Sequence, residues 1–179
     1  MSWNARSMTD QPPGTAEPSA DHDLESTAAD LIGEAVSRQH VPGTSLRILA
    51  QPTYRGQNTQ PITITDDTPS YRTVTLTVRH DPCAVSTPHT PGGRTPADIP
   101  HDADALTTTH IADCVARVLH NTSRMTDNGL ARTHFTATTE GDAVVCTLGI
   151  EIADGIDTRT FRITIDTTEH PGVVSADLA

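Results

Sequence analysis

Tyr71-Arg72-Thr73-Val74-Thr75-Leu76-Thr77-Val78-Arg79-His80 decides the reading of this chain. Side chains alternate across a β-strand with a period of two. Val74, Leu76 and Val78 therefore share one face, and Thr73, Thr75, Thr77 and Arg79 share the other. The stretch predicts a strand with one buried and one polar face. Two further β-like segments precede it, Ser45 to Gln51 and Gln60 to Thr65, and Asp66-Asp67-Thr68-Pro69-Ser70 supplies a hairpin connection. Before them, Leu24, Ala28, Leu31, Ile32, Ala35 and Val36 recur at helical spacing. Asp21 or Asp23 is the expected N-cap, and Pro42-Gly43 ends the helix beyond Gln39.

The same order returns downstream. A helix is expected from about Asp104 to Asn121, with Ile111, Cys114, Val115, Val118 and Leu119 on one face. Met125 to Gly129 read as a turn. Strands follow at Leu130 to Thr139, Ala143 to Ala153 and Thr158 to Thr167. Ile62-Thr63-Ile64-Thr65-Asp66 aligns with Ile150-Glu151-Ile152-Ala153-Asp154. After one gap, Arg72 to Val78 aligns with Arg159 to Ile165. The expected fold class is α+β: two α-β-β-β repeats, mainly antiparallel sheet with helices packed on one face. One such unit exposes a face of its sheet, so two copies in one chain cover each other. The expected core comprises Leu31, Val74, Leu76, Val78, Val115, Val118, Leu148, Ile150, Phe161 and Ile163.

The parts divide as follows. Residues 1–22 are rich in Pro, Ser, Thr, Asp and Gly and read as a disordered tail. Residues 23–80 form the first half. Residues 81–101, with Pro82, Pro88, Pro91, Gly92-Gly93, Pro96 and Pro100, read as a linker without regular elements. Residues 102–170 form the second half, and 171–179 a C-terminal tail.

Charge limits the partners. The 179-residue chain carries a formal charge of −11, and its 12 basic residues are all Arg, spread singly. Such a chain repels a phosphate backbone, and single-strand binding needs stacking aromatics, which are only 3% here. Nucleic acid is not an expected partner. No apolar run reaches the ~18 residues of a membrane span, and the N-terminus lacks the apolar core of a secretory signal. Cys83, Cys114 and Cys146 are odd in number and form no CxxC, so a reducing, cytoplasmic setting, or the inside of a virion or assembled particle, is expected.

Candidate chemistry is sparse. His110 and Cys114 stand at i, i+4, and His80, Cys83 and His89 cluster nearby in sequence. A small metal-dependent or Cys/His enzyme built on Cys83, His80, His110 and Cys114 is the alternative reading. Ser86, Ser123 and Ser175 sit outside any strand–turn–helix elbow, and no phosphate-binding glycine loop is present. The apolar content is too small for a generous ligand cavity. Arg72 and Arg159 occupy matching strand starts, where they would grip an anion as a pair or snorkel over the core edge. Thr73, Thr75 and Thr77 form an outward row, with Thr133 or Thr136 and Thr138 as a second. The sequence thus points to a non-catalytic protein-binding or assembly protein, such as an adaptor, chaperone-like factor, immunity protein or particle subunit. Its partner is another protein or a second copy of itself. No cofactor is expected, and contact is expected through the threonine surface, Arg72, Arg159, sheet edges and the tail.

Overall fold

The computed structural model describes residues 20–54, 56–66, 68–85, 95–120, 122–125, 129 and 131–167. Residues 1–19, 86–94 and 168–179 lie outside this set, and with them most of the expected tail, the middle of the linker, Ser86, His89 and Ser175. Helix α1 spans Ala20–Val36, followed by β1 Gln39–His40, β2 Arg47–Ala50, β3 Thr59–Thr65 and β4 Tyr71–His80. Single 3₁₀ turns at Pro96–Asp98 and Ala103–Ala105 lead to α2, Thr108–Leu119. Then come β5 Thr122–Met125, β6 Arg132–Glu140, β7 Ala143–Ile152 and β8 Gly155–Asp166. Neither helix is long and apolar enough to cross a membrane.

The eight strands form one antiparallel sheet in the order β1-β2-β3-β4-β8-β7-β6-β5, curled into a half-barrel. The expectation of three strands per half falls short by one. β1 and β5, the two outermost strands, are too short to carry a period-two signal. The expectation of two sheets is also corrected. β4 pairs with β8, Thr77 facing Thr164 and Val78 facing Ile163, so the inner edges of the halves satisfy each other. Pairing two complementary edges removes rows of open N–H and C=O groups without extra sequence. The expected hairpins are present: β3 pairs with β4 and β7 with β8, both antiparallel.

Helix α1 packs on β2, β3 and β4, α2 on β6, β7 and β8, and the helices touch each other. Eight of the ten expected core residues are buried; Leu31 and Ile150 are half-buried and pack against the core. Phe135 and Phe161, the only phenylalanines, are both fully buried.

Local signals explain the boundaries. α1 begins at Ala20, so Asp21 and Asp23 lie in its first turn rather than at the cap, where carboxylates still favour the helix dipole. It ends at Val36, earlier than Pro42-Gly43 implies, because Arg38 takes a positive φ of 60° and redirects the chain into β1. α2 starts at Thr108, not Asp104: Thr107 accepts from the His110 amide and its own amide is 3.2 Å from His110 Nδ1, a reciprocal cap. Asp104 is instead part of a 3₁₀ turn. Pro61 is tolerated inside the sheet because it sits beyond the end of β2, where its carbonyl accepts from the Gln51 amide at 3.0 Å. Asp66 ties the halves together: it accepts from the Thr68 amide at 2.7 Å and from the Ala103 amide at 3.0 Å.

Candidate functional site

Register places the polar side chains of the strands on the face opposite the helices. Neighbouring positions across the strands there include Thr59, Thr77 and Thr164; Pro61, Thr75 and Asp166; Thr63 and Thr73; and Thr136, Thr147 and Thr160. Hydroxyls meet across strands: Thr63 with Thr73 at 3.0 Å and Thr147 with Thr160 at 3.2 Å. Thr73 is exposed, and Thr75 and Thr77 are half-buried by their neighbours. Thr136 and Thr138 belong to this face. Thr133 does not: it is buried, and its hydroxyl donates to the Arg124 carbonyl at 3.1 Å.

The centre of this outer face is charged but balanced. Arg79 stands directly opposite Arg162. Like charges so placed repel. Asp81 at 3.0 Å and Glu140 at 3.1 Å hold Arg162, and Glu25 lies 3.9 Å from Arg79. The bonds to Asp81 and Glu140 raise the Arg162 guanidinium above its ordinary value. Toward the ends, large apolar side chains stand in water on the same face: Tyr71 is 64% exposed, Ile156 59%, Met125 52% and Leu49 37%. Arg47, Arg79, Arg132 and Arg162 are matched here by Asp81, Glu140, Glu151 and Asp166. The face is therefore close to neutral in a chain of charge −11.

Arg72 and Arg159 are not brought together. Only Arg72 stands near a strand start; β8 begins at Gly155 rather than Thr158, which makes Arg159 its fifth residue, and because β4 and β8 run antiparallel the two arginines lie toward opposite ends of the central pair. At ~3.3 Å per residue the separation along the sheet is roughly 30 Å. Both also have helix-side parity, facing away from the threonine rows. Arg159 pairs locally with Asp157 at 3.5 Å.

The Cys and His residues are likewise dispersed. Cys114 and Cys146 are buried, and Cys83 is exposed; all three are free thiols. Burial pushes the Cys114 thiol up to about 12, with Asp113 adding to the rise and Arg117 opposing it. Burial does the same to Cys146. Such a thiol is a poor nucleophile or ligand near neutral pH. His110 caps α2, and His80 packs on the Phe161 ring with 5.7 Å between centroids, its Nδ1 3.5 Å from Asp21. Among the described residues, no three His, Cys, Asp or Glu side chains converge as a metal site.

One feature went unread in the sequence. A cleft of about 750 Å³ lies between α1 and the connection joining β2 to β3. Apolar content does not foretell it, because its walls are polar: Ser26, Asp30, Glu34 and Ser37 from the helix, Gln51 and Gln60 from the other side. The available signal was a glutamine at a core-parity position, Gln60 preceding Ile62 and Ile64 on one face. No family model, curated protein or solved structure matches the chain.

Proposed function

We propose that the chain is a non-catalytic protein-binding or assembly protein, built as a tandem duplication and engaging another protein through the outer face of its sheet. The duplication is supported by register. A two-fold rotation about the Thr77–Thr164 pair carries Val74 onto Phe161 and Leu76 onto Ile163. Followed outward, the pairings carry Ile64 onto Leu148, Ile48 onto Phe135 and Gln39 onto Thr122. Both helices end two residues before their first strand. Ending them in register matches the buried Ala28, Ala29, Ile32, Ala35 and Val36 with the buried Ile111, Ala112, Val115, Val118 and Leu119. The repeat on this reading is α-β-β-β-β. Its register also sets Ile62 against Cys146 rather than Ile150, four residues from the alignment made on sequence, because isoleucine–threonine alternation matches itself at any even shift.

The binding reading rests on one observation: a helix-free, nearly neutral, threonine-rich surface carrying exposed Tyr71, Leu49, Ile156 and Met125. Exposed apolar side chains in a polar surround mark interaction surfaces, and here they stand in two pairs, Tyr71 with Leu49 toward one end of the face and Ile156 with Met125 toward the other. β-branched threonines present a stiff surface that loses little entropy on contact. The outermost strands are short, two residues in β1 and four in β5, so pairing along an edge offers few hydrogen bonds and the face is preferred. The excess negative charge opposes self-association at low salt, which favours a different protein over a second copy. The free thiols accord with a reducing compartment.

The test is capture from the native lysate by the tagged chain, by Thr75→Arg and Tyr71→Ser variants, and by a helix-side control, Asp23→Ala. The expected result is a discrete partner held by the parent and the control and lost by both outer-face variants, with circular dichroism unchanged. Equal capture by all four, or a monomer that turns over a small molecule, overturns the reading.

A further inference from the structure

The sheet ends that carry the β3–β4 and β7–β8 turns are finished differently. At the first, residues 96–106 run from the β1–β2 corner to α2 and close the end. Pro96 sits on Gly43 of that corner, where an added Cβ would come within 2.7 Å of it. Ile99, Ala103 and Leu106 are buried in the core. Asp66 accepts from the Ala103 amide at 3.0 Å, and Ser70 donates to Asp102 at 2.6 Å. Beneath this cover Ile64, Val74, Ile111 and Cys114 are buried.

At the second end the matching positions stay open. The register that sets Phe161 at the place of Val74 sets Leu148 at that of Ile64 and Ile150 at that of Asp66. With the helix ends in register, Ala28 and Leu31 stand where Ile111 and Cys114 stand in the other half. An apolar notch of about 40 Å³ lies here, between Leu24, Ala28 and Leu31 of α1 and Leu148, Ile150 and Phe161 of the sheet. Leu24, Leu31 and Ile150 are only half-buried, and Ile152, next on the same face of β7, is 56% exposed. A second hollow of about 610 Å³ runs from Ile152 to Met125 and Ala131. Among the described residues, none takes the place that Ile99, Ala103 and Leu106 fill in the first half.

We infer that residues 1–19 of the same chain close this end, seating Trp3 and Met8 on Leu31, Ile150 and Ile152. The occupant follows from position. Residues 96–106 lead into α2 and cover the end beneath it, and residues 1–19 lead into α1 at the matching place. Leu24 belongs to the second turn of α1, so the segment meets the helix beside the notch. Its length suffices: the twelve residues from Met8 to Ala20 reach up to about 40 Å, whereas β8 to β5 spans three strand spacings, roughly 15 Å. The notch is far below the ~300–1,000 Å³ of small-ligand sites, so it takes the tip of a side chain rather than a free ligand. Methionine fills such irregular gaps, and Pro12, Pro13 and Pro18 lessen the entropy lost on ordering. The inference uses the register match that supports the duplication and does not rest on the role of the outer face.

Trp3 is the only tryptophan, so its fluorescence reads the segment in the full chain. The expected result is an emission maximum to the blue of N-acetyl-tryptophanamide. Acrylamide quenching is expected to be about threefold weaker or more than for that compound, as for a segment docked in most molecules. Both readings are independent of protein concentration. Ile152→Asp, at an exposed position, and Ile150→Ser return quenching toward that of the free compound, with circular dichroism unchanged for the first. Ile156→Ser, on the opposite face of the same hairpin, and Thr75→Arg leave it as in the parent, so failure here is distinct from failure of the outer face. Trp3 quenched as freely as the compound, or protection unchanged in Ile152→Asp, overturns the inference. So does protection that grows with protein concentration, the sign of a second copy's segment.

Discussion

The halves α1-β1-β2-β3-β4 and α2-β5-β6-β7-β8 solve one packing problem with different connections. In the second, β6 passes to β7 through Gly141 and Asp142 alone, with Gly141 at φ 60°. In the first, β2 reaches β3 only after residues 51–58, and this longer path stands off α1 and opens the cleft. Yet the equivalent positions Asn58 and Asp142, each just before a strand, both bond to the helix of their own half. Asn58 donates to Glu25 at 3.2 Å, and Thr109 donates to Asp142 at 2.7 Å. The strand pairing and the helix ends are what packing requires, and the halves diverge in this connection and the two residues beneath it (Gly33 and Gln60 against Ala116 and Val144), in helix length, 17 residues against 12, and in the turn joining their last two strands, 66–70 against 153–154. Individuality in this chain is therefore to be sought where the halves disagree.

The largest effect tests whether the halves are one cooperative unit. Phe161 lies in β8, at the junction of the two, and is fully buried. Phe161→Ala should cost about 3–5 kcal/mol. Because β4 and β8 are hydrogen-bonded neighbours, the loss should appear as a lower midpoint of a single denaturant transition. Two separated transitions would show that the halves unfold independently and would break the comparison.

A smaller effect sharpens it. Ala is a better helix former than Gly by about 1 kcal/mol, so Gly33→Ala would stabilise an exposed helix position. Here the new Cβ meets the fixed Gln60 amide, and we expect a net loss of about 1–2 kcal/mol. Adding Gln60→Val copies the Ala116 and Val144 arrangement and should recover most of that loss. Thermal melts of the single and double variants check this. A stabilising Gly33→Ala would mean that the amide is not held in place.

The smallest effect concerns the contact between the β3–β4 connection and the turn before α2. Hydrogen bonds from Thr68 and from the Ala103 amide hold the exposed Asp66 carboxyl below its ordinary value of 3.8. A depressed carboxyl contributes stability above the unfolded value and loses it as pH falls through the folded one. The parent should therefore lose stability below about pH 4 more steeply than Asp66→Asn, by a margin seen in paired urea midpoints at pH 6 and pH 3. Parallel midpoints would remove Asp66 from the account of how the halves are joined.

The alternation of Val74, Leu76 and Val78 with threonines was enough to place β4, its buried face and its outward row. The same holds for β8, and helical periodicity located both helices to within a few residues, because face and period are local properties. β1 and β5 escaped because strands of two and four residues carry no period. The pairing of β4 with β8, which merges two expected sheets into one, is a contact between segments far apart in sequence, and alternation is blind to it. The distance between Arg72 and Arg159 follows from that antiparallel pairing alone. The threonine surface was legible in kind, yet its electroneutrality depends on Asp81 and Glu140 reaching Arg162 across strands. Gln60 was visible as a polar residue among isoleucines, but only the approach of Gly33 on α1 turns its carbonyl into the floor of a cleft. Local periodicity is written residue by residue, whereas partners across the sheet are chosen by the closing of the chain on itself.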